Sequence, residues 1–425
     1  MKILTMTALG LLFAASSTTL FAQGSYGSRG AENQVPVPRG GEEQEQTTTD
    51  KTSGIKPSKQ AQKAFIELQK AVNANDTASI PAKLAAVQAV AQTPEDKYLL
   101  GNFQLKIALA ANNNAGIGAA IDTMASSGVV DNVKIGSLYR GLGGTYYNAK
   151  QFDQAATAFE RAVALNPQDL ESMKLIGEAR LSQGNKAEAL AAFQKVMATR
   201  KAAGQKPEED LYKRSVQIAY DTKAPNAIQI ARDWVAAYPS PSNWHDAVAI
   251  YRNMGRPDVE GTLTMLRLLR TAGAMTSPGD YALYASAAAD QLNFNEAQAV
   301  IDEGIAAKKI DPASAQFREI IPPLQKKPKA TPADLAEATK TAQSGMALLR
   351  IGDRYYALKD YTKAVELYRK SMGKPGVDAD VANLHIGFAL TAAGDKAGAI
   401  EAFKAVKGGR ADLAQYWLLY LNSKA

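Results

Sequence analysis

Residues 141–167 read GLGGTYYNAKQFDQAATAFERAVALNP, and this stretch decides the fold. Three of its first four residues are glycine. Such a cluster either cradles a phosphate or lets two helices approach closely. A phosphate loop needs a strand before it and a helix N-terminus after it, and a P-loop ends in Lys-Ser or Lys-Thr. No alternating β-branched run precedes Gly141, and no such ending follows it. Close helix packing is the reading that stands.

A period supports it. Gly143 and Gly177 lie 34 residues apart, and aligning them sets Leu142 opposite Ile176, Ala155 opposite Ala189, and Phe159 opposite Phe193. Gly352 and Gly387 lie 35 apart, with Ala364 opposite Ala399 and Tyr368 opposite Phe403. Self-similarity at this spacing marks stacked repeats. In the first copy Leu142, Gly143 and Tyr146 fall on one helix, Ala155, Phe159 and Ala162 on the next, and Pro167 ends it. These residues resemble the tetratricopeptide repeat, a helix–turn–helix unit of about 34 residues. The small Gly143 and Ala155 let the helices of one hairpin touch, and Phe159 and Tyr146 fill the wider seam. Ala162 is expected to leave room for the next repeat.

The second copy, about 170–203, keeps Gly177, Gly184, Ala189 and Phe193 but has Arg180 and Val196 at two signature positions. The third spans about 345–378 and the fourth about 379–412. Segments 60–128, 211–239, 244–274 and 281–308 read as further helix pairs by length and punctuation. Helix starts share one logic in Thr93-Pro94-Glu95-Asp96, Ser277-Pro278-Gly279-Asp280 and Thr331-Pro332-Ala333-Asp334. A hydroxyl caps free N–H groups, proline needs no N–H, and the acid meets the positive end of the helix dipole. These carboxylates are therefore read as caps, not as acid–base pairs. Pro207-Glu208-Glu209-Asp210 reads as another start. The predicted class is all-α, an α-solenoid of stacked helix–turn–helix hairpins forming a TPR-like superhelix.

The first residues, MKILTMTALGLLFAASSTTLFA, pair Lys2 with a short apolar run and a small residue at the cut. This predicts a signal peptide over 1–22, cleaved after Ala22. Residues 23–57 are rich in Gly, Pro, Gln, Glu and Thr and predict a disordered linker. Cysteine is absent, which excludes disulfides and thiolate metal sites and points to a bacterial periplasm. The remaining organisation expected is N-terminal hairpins over 58–135, TPR and TPR-like repeats over 136–320, a Pro/Lys-rich exposed link over 321–334, and C-terminal repeats over 335–425. The apolar 411–421 stretch, ADLAQYWLLYL, reads as a capping helix, with homo-oligomerisation through Trp417 and Tyr420 as the alternative. It is too short to span a membrane.

The net charge of +7 is spread without a cationic block, which argues against nucleic acid. The two histidines, His245 and His385, fall in different repeats, and no HExxH or GxSxG motif occurs. No catalytic residue, cofactor or metal is assigned. The resemblance implies a concave face that binds a protein or peptide partner in the cell envelope. Projecting the family's groove positions gives Arg140, Tyr147 and Asn148 in the first copy, and Lys174, Glu178 and Leu181 in the second. It gives Asp353 and Tyr356 in the third, and His385 and Phe388 in the fourth. Some members of the family clamp a peptide carboxylate with lysine and asparagine. Here Glu178 stands four residues after Lys174 and would repel one. The mixture of tyrosine and cation suits an extended segment held by backbone hydrogen bonds and ring contacts. The alternatives are the helical part of a cell-wall-acting enzyme, or a homo-oligomeric structural protein.

Overall fold

A computed structural model describes residues 55–423. The segments expected as a signal peptide and, apart from residues 55–57, as a linker lie outside the described residues. The chain divides into two compact units after Gly184. The described residues of the first unit hold α1 (Gln62–Asn73), α2 (Ile80–Val90), α3 (Pro94–Ala110), α4 (Asn114–Ser126), α5 (Asn132–Asn148), α6 (Phe152–Leu165) and α7 (Leu170–Ser182). The second begins with α8 (Lys186–Ala202), α9 (Glu209–Asp221), α10 (Ala227–Ala237), α11 (Pro241–Gly255), α12 (Val259–Thr271), α13 (Pro278–Asp290) and α14 (Phe294–Ala306). It continues with α15 (Ala315–Gln325), α16 (Pro332–Thr341), α17 (Gly345–Ala357), α18 (Tyr361–Met372), α19 (Ala379–Ala393), α20 (Lys396–Ala405) and α21 (Ala411–Ser423). No strand occurs among the described residues. The fold is all-α, built of stacked helical hairpins as the repeat pattern predicts.

The opening glycines answer their question here. A Cβ on Gly143 would lie 2.5 Å from the Phe159 ring. The same clash recurs between Gly352 and Tyr368 at 2.5 Å, and between Gly387 and Phe403. Each glycine lets an aromatic sixteen residues on press against the first helix of its hairpin. Ala155 and Phe159 are fully buried and pack on Leu175 and Ala179 of α7. Ala162 faces the other way from the expectation. It joins Ile135 and Tyr139 of α5 and Met124 of α4 in the preceding core, where its carbonyl lies against Gly136.

The hairpin turns share a second device. Asn112, Lys150, Lys223, Leu292, Lys359 and Gly394 all have positive φ. In each turn the next residue's N–H reaches back five residues, as from Gln151 to Tyr146 O at 2.9 Å and from Asn293 to Ala288 O at 2.9 Å. This left-handed closure satisfies carbonyls that a helix end leaves open. It continues through 211–308, where the residue signature thins. Capping boxes form at Thr93/Asp96, Ser277/Asp280 and Thr331/Asp334. At α9 the helix starts as read, but Glu208 makes no side-chain cap.

The Pro/Lys-rich segment differs from its expectation. Helix α15 runs through Pro322 and Pro323 to Gln325. Buried Phe317, Ile321 and Leu324 hold it, and Lys329 Nζ donates to the Leu324 and Gln325 carbonyls at 2.6 and 3.1 Å, replacing partners the helix end lacks. The link shortens to the residues between α15 and α16, and it lies inside the second unit. There Asn293 Nδ2 donates to Asp353 O across it, at 3.2 Å.

Helix α21 is more than an end cap. It packs against α10, α12, α19 and α20. Trp417 stacks on Phe403 with ring centres 5.4 Å apart, and Tyr416 lies edge-on to Tyr251 at 5.6 Å. Tyr420 donates to Thr271 O at 3.1 Å. Both Trp417 and Tyr416 are fully buried within one chain. The Trp417 ring is therefore occupied internally, which removes it as a contact for a second copy. No helix among the described residues is long and apolar enough to cross a membrane.

Candidate functional site

In the first unit the implied partner positions share one face of α5 and α7. Arg140, Tyr147, Lys174, Glu178 and Leu181 are half-buried, and Asn148 is exposed. Two ties join the helices at opposite ends of this face. Arg140 Nη1 donates to both oxygens of Asp169, at 2.9 and 2.8 Å. Asp169 also caps α7, accepting from Ser172 N at 3.0 Å and Ser172 Oγ at 2.7 Å. At the other end the Tyr147 hydroxyl lies 3.2 Å from Ser182 Oγ, and its ring meets Phe152 edge-on at 5.4 Å. Lys174 pairs with Glu171 at 3.6 Å. The face is thus charge-matched, with a polar end at Arg140 and an aromatic end at Tyr147. Seven residues separate the two ends, about 10 Å of helix. Asp169 and Ser182 were not singled out in the sequence. The Pro167-Gln168-Asp169 run before α7 carries a helix-start signal that points to the first.

The second unit treats the corresponding positions differently. Asp353, His385 and Phe388 are buried and Tyr356 is half-buried. The expectation of an open face here is corrected, because α12 packs on α19 and α14 on α17. The centre of this interior is Arg267 of α12, which is fully buried. Its Nε and Nη2 donate to the two oxygens of Glu296 at 2.8 and 2.7 Å. Its guanidinium lies 4.4 Å from the Phe388 ring centre and 5.4 Å from that of Tyr356. His385 Nε2 is 2.6 Å from Glu260 Oε1. Its Nδ1 is 2.8 Å from Asp353 Oδ1, close enough for an ion pair but without an aligned hydrogen bond. Tyr284 donates to Glu296 at 2.8 Å and Tyr368 to Asp353 at 2.9 Å.

Burial alone would lower the His385 pKa. The carboxylates of Asp353 and Glu260 outweigh it and raise the imidazole to about 9. Burial opposes ionisation of Glu260, yet His385 and Arg267 hold it well below the usual carboxylate range. The groove of the C-terminal hairpins is filled by this chain's own α12. Its signal in the sequence is Arg267 within the apolar run Met265-Leu266-Arg267-Leu268-Leu269.

A further feature of the first unit joins its second helices. Arg161 of α6 donates to Asp122 of α4 at 2.8 Å and to the Tyr139 hydroxyl of α5 at 3.1 Å. Tyr139 in turn donates to Asp122. Burial, reinforced by Asp122, pushes the Tyr139 phenol up to about 12.

Comparison with known proteins follows the same lines. A tetratricopeptide-repeat family model matches residues 141–205, and a second model of the same description matches residues 346–372. No curated protein matches the chain. Among solved structures, a tetratricopeptide-repeat protein from Parabacteroides merdae is 10% identical and covers 69% of this chain and 99% of its own, with a TM-score of 0.28. The C-terminal part of a TPR repeat-containing protein from Cytophaga hutchinsonii is 14% identical and covers 68% and 98%, with a TM-score of 0.28. The TPR2AB domain of yeast Sti1 is 14% identical and covers 67% and 98%, with a TM-score of 0.24. Scores this low carry no argument about arrangement or ligand. The two family matches rest on the segments whose hairpins show the glycine–aromatic seam. Over residues 141–205 and 346–372 the chain therefore carries tetratricopeptide repeats, a repeat type that scaffolds protein interactions.

Proposed function

We propose that the chain is a non-catalytic scaffold of the bacterial periplasm that holds an extended protein segment on the α5/α7 face of the first unit, in the assembly of the cell envelope. One observation carries this reading. Of the two sets of implied groove positions, the α5/α7 set is solvent-accessible, whereas the C-terminal set is filled by α12. The face offers tyrosine contacts beside a fixed arginine, and its charges are matched. An extended neutral segment with backbone groups to pair fits it better than a strongly charged tail. The leader-like residues 1–22 and the cysteine-free composition support the periplasmic address.

A photo-crosslinking residue at Asn148, on this face, is to be compared with one at Glu160, an exposed position on α6. Trapping in intact cells should yield a discrete envelope protein from position 148 and not from 160. Adding Tyr147→Ala and Lys174→Ala together should weaken that capture about tenfold while the melting temperature stays nearly constant. Capture from 160 alone, or capture indifferent to the double variant, would remove the face from the function.

A further inference from the structure

Away from the α5/α7 face, the first unit carries a groove of about 290 Å³ between its second helices α4 and α6. Tyr139, Leu142 and Tyr146 of α5 form its floor, with Ala158 of α6. Gly118 keeps the α4 wall low. A Cβ there would meet only Leu142 Cδ2, at 3.5 Å. One end is closed by the Asp122–Tyr139–Arg161 clasp, in which the arginine is matched by its carboxylate. Asp153 stands on the exposed rim, accepting only a neutral amide, Gln183 Nε2, at 2.8 Å. The groove is therefore apolar and aromatic below and carries at its edge one carboxylate, in the first turn of α6, that no side-chain cation pairs. Its complement is an extended apolar strand with a single cation.

The chain contains such a segment, Gln34-Val35-Pro36-Val37-Pro38-Arg39. Its prolines pre-set an extended backbone and lack N–H groups that docking would desolvate. Proline-spaced segments dock in aromatic-lined grooves by this logic. The place where the chain enters the structure fits as well. Ile55, the first described residue, packs against the hydrophobic cluster that contains Tyr139, Leu142 and Ala158. Arg39 precedes it by sixteen residues, a reach of roughly 50 Å when extended. A tether of that length gives the segment an effective concentration on the order of millimolar at the groove.

We propose that the α4–α6 groove is the docking site of the chain's own segment 34–39, with Val37 and the prolines over Tyr139 and Tyr146 and Arg39 beside Asp153. The groove is separate from the α5/α7 face, so the two assignments stand or fall independently.

The absence of cysteine makes the test direct. Val37→Cys is combined with Thr157→Cys on the exposed rim of α6, and disulfide closure in the full chain is timed under mild oxidation. Thr48→Cys with Thr157→Cys is the control, since position 48 lies nearer the tether and outside the segment. The 37/157 pair should close about tenfold faster than the control. Gly118→Leu should abolish that difference by filling the groove. Arg39→Glu, which alters none of the described residues, should slow closure several-fold. Equal rates for the two pairs, or rates unaffected by Arg39→Glu, would overturn the proposal. Disulfides that form between two chains, and faster at higher protein concentration, would assign the groove to a second copy and overturn it equally.

Discussion

At the scale of single residues, the glycines and Arg267 show two ways a side chain can be dictated by its neighbours. Gly143 is unfavourable as a helix former, by about 1 kcal/mol against alanine. It is kept because the Phe159 ring occupies the space a Cβ would take. Overpacking of this kind costs roughly 1–3 kcal/mol. Gly143→Ala should therefore destabilise the chain despite its better propensity, by about 1–2 kcal/mol in urea unfolding. Gly118→Ala, where the new Cβ meets only an ordinary contact, should stabilise by about 0.5–1 kcal/mol. The reverse order of the two effects would show that the seam relaxes around the methyl. Arg267 is the opposite case. A fully buried guanidinium is tolerated because Glu296 binds it with two hydrogen bonds and aromatic faces cover it.

At the scale of elements, hairpin closure is a backbone rule with weak side-chain preference. The left-handed position is filled by asparagine, lysine, leucine or glycine in different hairpins. Only glycine adopts it without cost, and other residues lose about 1–2 kcal/mol there. Leu292 combines φ of +56° with 51% exposure and so gains little from its apolar side chain. Leu292→Gly should raise stability by about 0.5 kcal/mol, after the extra entropy of a glycine in the unfolded chain is deducted. Denaturant unfolding measures this, and a loss would mean that Leu292 packs on more than the turn. The same reasoning explains why the repeat faded from view between the signature copies. The geometry recurs there while the residues that advertise it do not.

At the scale of the whole molecule, the two units use the same hairpin for different ends. The first leaves a first-helix face accessible. The second closes on itself through an ionic interior that links α12, α14, α17, α18 and α19. That interior makes stability depend on pH. His385 faces Glu260 and Arg267 from α12, Asp353 from α17 and Tyr368 from α18, with Glu296 behind Arg267. Its folded pKa of about 9 lies above its ordinary value of 6.5. Its contribution is complete below pH 6.5 and is lost as pH rises through 9. His245, raised to about 9 chiefly by its hydrogen bonds to Asp246 and Asp280, acts in the same direction. The second unit should lose on the order of 2 kcal/mol or more between pH 6.5 and 9.5. His385→Gln should lower stability at pH 6 and flatten this decline. An unchanged slope would show that His385 is already neutral in the folded chain.

The sequence by itself determined the helices, their caps, the repeat period and the glycine–aromatic seam. Each of these is set by contacts within one hairpin, at separations that a residue pattern records. The resemblance to the repeat family put Arg140, Tyr147 and Lys174 among the groove positions, and the fold sets them on one face of α5 and α7. What it did not determine was whether a face stays open. Asp353, His385 and Phe388 follow the groove pattern as well as Tyr147 does, yet they meet a helix whose contacting residues lie 86 to 125 positions earlier. No local rule encodes that meeting. It depends on how small rotations between successive hairpins add until α12 and α19 face each other. Burial then turned a set of surface-type residues into paired interior charges, because an unpaired charge in that position would not be tolerated.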